Sequence, residues 1–357
     1  MNTCIKPGQL WLDTDGTPIE AHGGALYYED GVYYWYGENK DHTDGKNGVW
    51  TWGIKYYSSR DLYNWKYEGY LIEPDTGDEA SMLHPSRRMD RPHIVKSPAT
   101  GKYVCWLKYS GEDACFCLFT ADAFGGPYTM AKERFRPFGK KVGDFDIAVE
   151  EDGRAYLLFD SDHAGLTGAW LTPDYLDATG EPALHCGGLH PPYCREAPAH
   201  FAWNGKHYLF TSGMTGYLPN PSRTDGADRA DGPYETLGNP HVDDPSSASF
   251  NSQISQVFRV PGTECFIALA DRWVPEYKMA AQVYGALERA IGHRFDPERF
   301  QPSQEDIQLL MASPMLATAD TSKARYVWLP VTFEGSVPRI RWHDEWRVED
   351  FTKQEDA

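Results

Sequence analysis

The chain has 357 residues, of which 14% are aromatic, and its 33 glycines and 25 prolines are dispersed rather than clustered. This composition favours many short strands joined by turns over a helical protein. With 34 basic and 52 acidic residues, a net charge of −18 and no run of Lys and Arg, a nucleic-acid partner is excluded; no apolar run is long enough to span a membrane.

The cysteines and the N-terminal segment indicate in which cellular compartment the protein works. The seven cysteines match no zinc motif, and their number is odd: Cys4, Cys105, Cys115, Cys117, Cys186, Cys194 and Cys265. We interpret them as reduced, mostly buried thiols. The N-terminal MNTCIKPGQLWLD lacks the apolar centre of a signal peptide. We therefore predict a cytoplasmic protein, with a signal peptide already removed as the alternative.

A turn signal followed by an aromatic-rich strand recurs along the chain. It occurs as DGVYYWYGE at 30–38, TGKYVCWLKYSG at 100–111, DGRAYLLFDSD at 152–162, NGKHYLFTSG at 204–213 and, with a weaker turn, ECFIALADRW at 264–273. The starting points lie roughly fifty to seventy residues apart, which is the scale of a propeller blade.

Other segments complete the pattern. GIKYYSSRDLYNWKYEGYLI at 53–72 predicts two strands around a polar turn, and ADAFGGPYTM and RADGPYETLG predict two matched blade edges, each with Gly-Pro-Tyr. Late strands are predicted over 325–333 and 338–346. EYKMAAQVYGALERAIGH, at 276–293, instead predicts a short amphipathic helix inserted in the last blade.

No Ser- or Gly-rich spacer and no long charge block divides the chain. We therefore predict an all-β fold, a five-bladed β-propeller, as a single domain over residues 1–357. A β-sandwich with an appended domain is the alternative, and the repeated Gly-aromatic strands favour the propeller. The predicted blades cover 19–75, 80–135, 138–190, 192–260 and 262–349, followed by the short polar C-terminal tail FTKQEDA, which we expect to fray.

In a propeller the first strand of each blade lines the central channel, so polar residues at the starts of these strands converge. In the first blade, Glu20 lies just before the strand that His22 opens, and Glu38 ends the hairpin. Taken alone, His22 is interpreted as a structural histidine. Glu38 has two equally good interpretations: a carboxylate that stabilises a turn, or a residue that binds sugar hydroxyls. In the second blade, Asp90 precedes Arg91, and buried charges of this kind normally pair with each other.

The third, fourth and fifth blades add further polar residues. Asp144 and Asp146 alternate around an aromatic residue and share one strand face. Because an acid beside the apolar IAV is costly unless it is used, we assign Asp146 a function. Glu196, alone before APAHFAW, indicates either a surface salt bridge or a catalytic acid. Gln253 alternates with Ser255, a pattern that a solvent-facing strand also shows.

Carboxyl groups across a cleft are what glycoside hydrolysis requires. One protonates the leaving oxygen, and in an inverting enzyme a base about 6.5–9.5 Å away activates water on the opposite face. A neighbouring carboxylate that raises the pKa of the acid keeps it protonated near neutral pH. The abundant Trp and Tyr residues offer flat apolar platforms for sugar rings.

Six motifs cover nearly the whole chain: IEAHGGALYYEDGVYYWYGE, DRPHIV, GDFDIAVEEDGRAYLLF, CREAPAHFAWNGKHYLFTSGMTGY, SFNSQ and ADRW. In this order they resemble glycoside hydrolase family 43, most closely its exo-β-1,3-galactanase branch. The resemblance implies a five-bladed propeller and an inverting, exo-acting enzyme that releases galactose from β-1,3-galactan or arabinogalactan oligosaccharides. An α-L-arabinofuranosidase, a β-D-galactofuranosidase, a non-catalytic carbohydrate-binding propeller and a protein-binding scaffold are the alternatives.

The resemblance also implies catalytic roles. Glu196 matches the general acid, and Asp146 matches the carboxylate that modulates its pKa. Gln253 matches a glutamine that positions and activates water, and Asp90 is a supporting carboxylate where the branch typically carries Glu. The common family base is an Asp at the start of the first blade, where this chain has His22 and its glycines.

Four residues are predicted to bind substrate: Glu38, His22, Glu20 and Thr215. No cofactor is required, and a structural calcium or other ion in the propeller channel is expected. The expected partner is the oligosaccharide substrate, with no nucleic acid and no membrane.

Overall fold

The computed structural model describes residues 1–277, 280–313 and 319–353. Five antiparallel sheets are present in these ranges, four with four strands and one with five. The first strand of each sheet packs against the first strands of its neighbours around a common channel. The predicted all-β, five-bladed propeller is therefore confirmed.

In each blade the strands follow one another from the channel outward. The first four blades consist of β1 His22–Glu29, β2 Val32–Glu38, β3 Ile54–Ser59 and β4 Lys66–Ile72; β5 Met89–Lys96, β6 Tyr103–Tyr109, β7 Cys115–Ala121 and β8 Thr129–Phe135; β9 Val142–Val149, β10 Ala155–Ser161, β11 Leu166–Leu171 and β12 Ala178–His185; β13 Arg195–Trp203, β14 Lys206–Gly213, β15 Arg223–Ala227 and β16 Glu235–Gly238. The fifth consists of β17 Gln253–Arg259, β18 Phe266–Arg272, β19 Arg325–Tyr326, β20 Leu329–Glu334 and β21 Val337–Ile340.

The boundary between the fourth and fifth blades differs from the predicted one. The range predicted for the fourth blade, 192–260, includes β17, although the sequence analysis assigns Gln253 to the fifth blade. Strand β17 pairs with β18, so that Gln253 lies opposite Asp271. The fifth blade therefore begins at its innermost strand with Gln253. The turn at 261–264 joins two strands of one hairpin and does not separate two blades.

The turns predicted from the sequence connect the strands of short hairpins. Asp30 and Gly31 connect β1 to β2 with positive φ at both positions, 50° and 80°. Asn204 and Gly205 do the same between β13 and β14, at 49° and 72°. Asp-Gly and Asn-Gly tolerate this left-handed conformation, whose twist matches that of the strands. The Gly-Pro-Tyr segments directly precede the outer strands β8 and β16, as expected for matched blade edges.

An insertion between β18 and β19 carries two helices, α1 Ala281–Gly292 and α2 Gln304–Met311. The predicted helix at 276–293 is found as α1, although residues 278–279 lie outside the described residues, as do 354–357 of the predicted tail. Helix α2 begins with a capping box formed by Ser303 and Asp306, which the sequence analysis missed. Leu218 packs into the same apolar cluster as these helices, so the insertion supports the loop after β14.

Most tryptophans pack between blades and do not face sugar. Trp35, Trp65 and Trp328 form one aromatic cluster between the first and last blades, and Trp106 is enclosed between the second and third. Burying side chains of this size supplies much of the apolar driving force for closing the ring. The expectation that the aromatic residues serve as sugar platforms therefore applies to only a few of them.

Polar contacts also close the ring between the last and first blades. The Gln256 side chain accepts a hydrogen bond from the Leu26 amide at 2.7 Å, and Ile5 forms a bridge with Trp346. Asp271 accepts a hydrogen bond from the Gly23 amide at 2.9 Å. None of the helices in the described ranges is long and apolar enough to cross a membrane.

Candidate active site

Five polar residues, one from each blade, meet at one end of the channel. The Arg91 amide donates to Glu38 at 3.0 Å, and its guanidinium bonds to Asp144 at 2.9 Å and to Gln253 Oε1 at 2.7 Å. Gln253 in turn donates from Nε2 to Glu196 Oε1 at 3.3 Å. Arg91 is thus the centre of a polar cluster that joins all five blades, and we call these five residues the mouth cluster.

Bulges at the starts of the inner strands orient these side chains towards the end of the channel. The registers of β1, β5 and β13 shift after His22, Asp90 and Glu196, respectively. The shifts coincide with positive φ at Arg91, 50°, and at Ala197, 49°. A left-handed conformation costs a residue with a side chain about 1 kcal/mol or more, and such strain is common next to active sites.

The expected pairing of Asp90 with Arg91 is wrong. Asp90 bonds instead to the ammonium of Lys108, at 2.9 Å, and that ammonium also contacts Asp144 at 2.5 Å. Asp144 therefore lies between two cations, Arg91 and Lys108. Asp90 remains next to the mouth cluster, where Ser110 also donates to it at 3.2 Å.

Glu196 has the electrostatics of a carboxylic acid that stays protonated. Burial raises its pKa to about 8, and the negative charges of Asp144 and Asp160 act in the same direction. Arg91 and Lys108 oppose this shift but do not cancel it. Since part of Glu196 remains exposed, the group can hold a proton at neutral pH and still reach a ligand.

The amide of Gln253 can be oriented from its partners. Its oxygen faces Arg91 and the indole N–H of Trp273, at 2.7 and 3.2 Å, and both of these groups can only donate. Its nitrogen therefore faces Ser212 and Glu196, at 2.9 and 3.3 Å. All the hydrogen-bonding groups of this amide are engaged, which fixes its position in the cleft.

Asp146, the predicted modulator of the acid, does not belong to the mouth cluster. Its oxygens accept hydrogen bonds from the backbone amides of Ile147 and His200, at 2.8 and 2.6 Å, and contact the His93 ring at 3.1 Å. In the described residues, no hydrogen bond or ion pair joins Asp146 to Glu196. Asp146 lies two residues further along β9, and Asp144 is the aspartate of this strand that lies in the mouth cluster. The modulating role of Asp146 stays a prediction.

Glu38 and its neighbours lie beneath the cleft. Glu38 is 1% exposed, and its second oxygen contacts the ammonium of Lys40 at 2.6 Å. Lys40, itself buried, also donates to the Trp50 carbonyl at 2.8 Å, and its backbone amide donates to Glu20 at 3.0 Å. Both Glu38 and Glu20 are buried and bonded to protein groups, and their predicted sugar contacts stay predictions.

The other two predicted substrate-binding residues are also enclosed. His22 is 1% exposed, its Nδ1 donates to Asp271 Oδ1 at 2.8 Å, and its ring stacks on Tyr326 with the centroids 4.7 Å apart. The Thr215 hydroxyl donates to the Leu218 carbonyl at 2.6 Å and accepts from Asn220 at 2.7 Å. Thr215 thus shapes the loop after β14 and has already donated its one hydroxyl proton, and its predicted contact to sugar stays a prediction.

Aromatic side chains form the wall above the mouth cluster. Tyr217 lies 5.6 Å from Trp273 and 6.3 Å from Trp50, between ring centroids. A small pocket is lined by Tyr217 and Trp273 together with Gln253 and Ser212. Partly exposed rings beside hydrogen-bonding groups suit a sugar, which presents both C–H faces and hydroxyls.

The sequence analysis missed Lys40, Lys108, Tyr217 and Trp273 as parts of the site. Trp273 lies in the ADRW motif, and a signal for Lys108 is its position at the end of a strand that otherwise is apolar. Among the described residues, no three His, Cys, Asp or Glu side chains form a group that could hold a metal ion. The ion expected in the channel stays a prediction, and no step below depends on it.

Comparisons with known proteins bear on the family and the fold. The model of glycosyl hydrolases family 43 matches residues 20–275, whereas no curated protein matches the chain. The family 43 β-1,3-galactosidase BT0265 superposes with a TM-score of 0.78 at 29% identity, over 98% of this chain and 65% of its own. This chain therefore spans less than two thirds of that protein.

Two further structures extend the comparison. The family 43 β-1,3-galactosidase BT3683, solved with galactodeoxynojirimycin, has a TM-score of 0.76 at 28% identity, over 96% of this chain and 100% of its own. An exo-β-1,3-galactanase from Clostridium thermocellum has a TM-score of 0.73 at 24% identity, over 98% of this chain and 67% of its own. The last identity is low enough that it supports the fold alone.

Proposed function

Because this chain belongs to glycosyl hydrolases family 43 and is a glycoside hydrolase, we propose that it is an inverting exo-β-1,3-galactanase. Its substrates would be β-1,3-galactan or arabinogalactan oligosaccharides, from which it releases galactose. Two family members at 28% and 29% identity are β-1,3-galactosidases, which supports this choice of sugar. The observation that carries the proposal is the buried Glu196 carboxyl, whose pKa is raised to about 8, beside the ionised Asp144 in the mouth cluster.

Glu196 is the general acid of the proposed reaction. With its pKa raised to about 8, chiefly by burial, it is protonated at neutral pH. It donates this proton to the glycosidic oxygen as the bond from that oxygen to the anomeric carbon breaks. A water oxygen attacks the anomeric carbon from the opposite face, so that its configuration is inverted.

Asp144 takes the role that the sequence analysis gave to Asp146. Its negative charge raises the pKa of Glu196, whereas Arg91 and Lys108 keep Asp144 itself ionised. Burial works against that ionisation, but the two cations outweigh it and hold the pKa of Asp144 below its usual value. The reaction needs one carboxyl group that stays ionised and a neighbouring one that stays protonated.

Gln253 positions the water. Both acceptor sites of its oxygen are occupied, by Arg91 and by Trp273. It can accept the proton of the attacking water only if substrate displaces one of these donors. Its nitrogen also lies 3.3 Å from Glu196, closer than the roughly 6.5–9.5 Å that inversion requires, so substrate must also separate these two side chains. We therefore assign Gln253 the placement of water once substrate is bound, and proton removal depends on the displacement of a donor.

An assay panel tests the function. The substrates are β-1,3-galactan, an aryl β-galactoside, an aryl α-L-arabinofuranoside and an aryl β-D-galactofuranoside. We expect galactose from β-1,3-galactan at the highest kcat/KM. Preference for a furanoside would replace the galactanase assignment by one of the other branches, and binding without any release of sugar would support a carbohydrate-binding propeller. NMR of fresh product should show the α-anomer first, and the β-anomer first would exclude inversion.

A further inference from the structure

A second pocket shares the Tyr217 ring with the small pocket that Gln253 and Trp273 line. Its other lining residues include Thr43, Lys46, Trp50, Arg88 and Thr321. Tyr217 also lines the small pocket of Gln253 and Trp273, so the two spaces meet at one side chain. A substituent on a sugar bound at Gln253 can therefore extend into the second pocket.

The charge of this pocket is opposite to that of the molecule. Its charged lining residues are Lys46 and Arg88, and no acidic residue lines it. In the described ranges, neither side chain forms an ion pair, and both are exposed. The chain as a whole has a net charge of −18, so two unpaired cations in one pocket are a local exception to the charge of the molecule. Unpaired cations beside a substrate cleft attract an anionic ligand.

The acidic groups near the pocket are occupied by other partners. Asp44 accepts the backbone amides of Lys46 and Asn47, both at 2.7 Å, and its charge also acts on Lys46. Asp320, between the lining residues Ala319 and Thr321, accepts hydrogen bonds from Ser322. Asp90 and Glu38, behind Tyr217, are paired with Lys108 and with Lys40, respectively. Asp44 weakens the field of Lys46 but forms no ion pair with it in the described ranges, so the Lys46 ammonium and the Arg88 guanidinium can both bind a ligand.

The Arg88 guanidinium is held in place by an aromatic ring. It lies over the Trp50 ring, 5.1 Å from the centroid, and Lys40 contacts the same ring at 4.9 Å. Since Lys40 is buried and also bonds to the Trp50 carbonyl at 2.8 Å, Trp50 is a fixed support. A stacked guanidinium keeps its planar donor edges free for two parallel hydrogen bonds to a carboxylate.

We propose that this pocket binds an anionic sugar branch, a uronic acid whose carboxylate contacts Arg88 and Lys46. The proposal rests on the proposed function for the galactan backbone and adds a preference for acidic branches to it. A sulfate ester on the same position shares this chemistry, and the experiment separates the two.

The test compares four substrates: β-1,3-galactotriose, and the same trisaccharide carrying on O6 a glucuronic acid, a glucose or a sulfate. We expect kcat/KM for the glucuronyl substrate to exceed that for the glucosyl substrate by about tenfold. In Lys46→Ala/Arg88→Ala this ratio should fall to about one, with kcat/KM on plain galactotriose unchanged. Lys206→Ala, a loss of charge at the far end of the fourth blade, is the matched control and should keep the ratio.

Three results would overturn the proposal. Equal kcat/KM for glucuronyl and glucosyl substrates in the wild type would exclude the pocket as an anion site. An unchanged ratio in the double variant would exclude Lys46 and Arg88. A preference for the sulfate over the glucuronyl substrate would replace the carboxylate by a sulfate ester.

A binding measurement separates this proposal from the proposed function. Methyl β-D-glucuronide is titrated against the intact protein by tryptophan fluorescence, with methyl β-D-glucoside as the neutral probe. We expect tighter binding of the glucuronide, weakened about tenfold in the double variant and by added salt. If no galactan substrate is cleaved but this difference is found, the galactanase assignment fails and the anion pocket stands; equal binding of both probes overturns the pocket.

Discussion

Asp144 and Asp146 lie two residues apart on one strand, share one face and have different surroundings. Asp144 contacts Arg91 and Lys108 at the end of the channel where Glu196 lies. Asp146 is bound by two backbone amides and by His93 deeper in the channel. The same residue type thus contacts two cations in one place and two backbone amides and a histidine in the other.

The pKa directions of the two carboxyls follow from these partners. Burial tends to raise the pKa of both groups. At Asp144 the two cations outweigh burial and lower the pKa, whereas at Asp146 burial outweighs His93 and the two amides and the pKa is raised. Position among charges, rather than burial alone, decides which carboxylate can act on a neighbouring acid.

The largest expected effect tests whether the channel end with Asp144 is the reacting end. Glu196→Gln removes the transferable proton but keeps the size of the side chain, so we expect kcat to fall about 10³-fold. Thermal unfolding should show that the variant is folded. A folded Glu196→Gln protein with wild-type kcat would exclude Glu196 as the acid.

The second prediction compares the two aspartates directly. Asp144→Asn removes the charge that raises the pKa of Glu196, so we expect kcat to fall about 10²-fold and the alkaline limb of the pH–rate profile to move to lower pH. Asp146→Asn turns an amide nitrogen towards a backbone N–H, which should cost about 1–3 kcal/mol of unfolding free energy and leave the alkaline limb in place. The reverse pattern would restore Asp146 as the modulator.

A third prediction concerns the support below the site. Lys40→Met leaves Glu38 buried without its cation, which should lower the unfolding free energy by about 3 kcal/mol. Loss of the contact to the Trp50 carbonyl should also raise KM about tenfold, because the wall of the cleft loosens. Lys55→Met is the control: its pair with Asp41 lies nearer the surface and should contribute less than about 1 kcal/mol. Equal effects of both variants would contradict a special role for Lys40.

The smallest effect is the pH dependence of the unmodified enzyme. Glu196 must be protonated to act, and its pKa is raised to about 8. Activity should therefore hold through neutral pH and fall as the pH rises through about 8, by about tenfold for each pH unit beyond. A profile that already falls near pH 5, where an ordinary Glu ionises, would show that Glu196 is not the acid.

Much of the fold was predictable because its signals are local. Asp30-Gly31 and Asn204-Gly205 fix two-residue hairpins, and alternating aromatic residues mark the strands between them. Helix α2 was missed because it covers only eight residues and depends on its capping box and on packing against α1. The predicted boundary between the fourth and fifth blades is wrong because a turn within a hairpin and a turn between blades have similar composition.

The sequence by itself determined the strand-rich architecture, the residues at the start of each inner strand and, through the period of two, that Asp144 and Asp146 share a face. Only the tertiary structure decided which of them reaches Glu196 and that Arg91 pairs with Asp144 instead of Asp90. The reason is that depth in the channel depends on the stagger of five inner strands and on bulges in β5 and β13. These are set by packing between blades that are distant in sequence, so no local pattern records them.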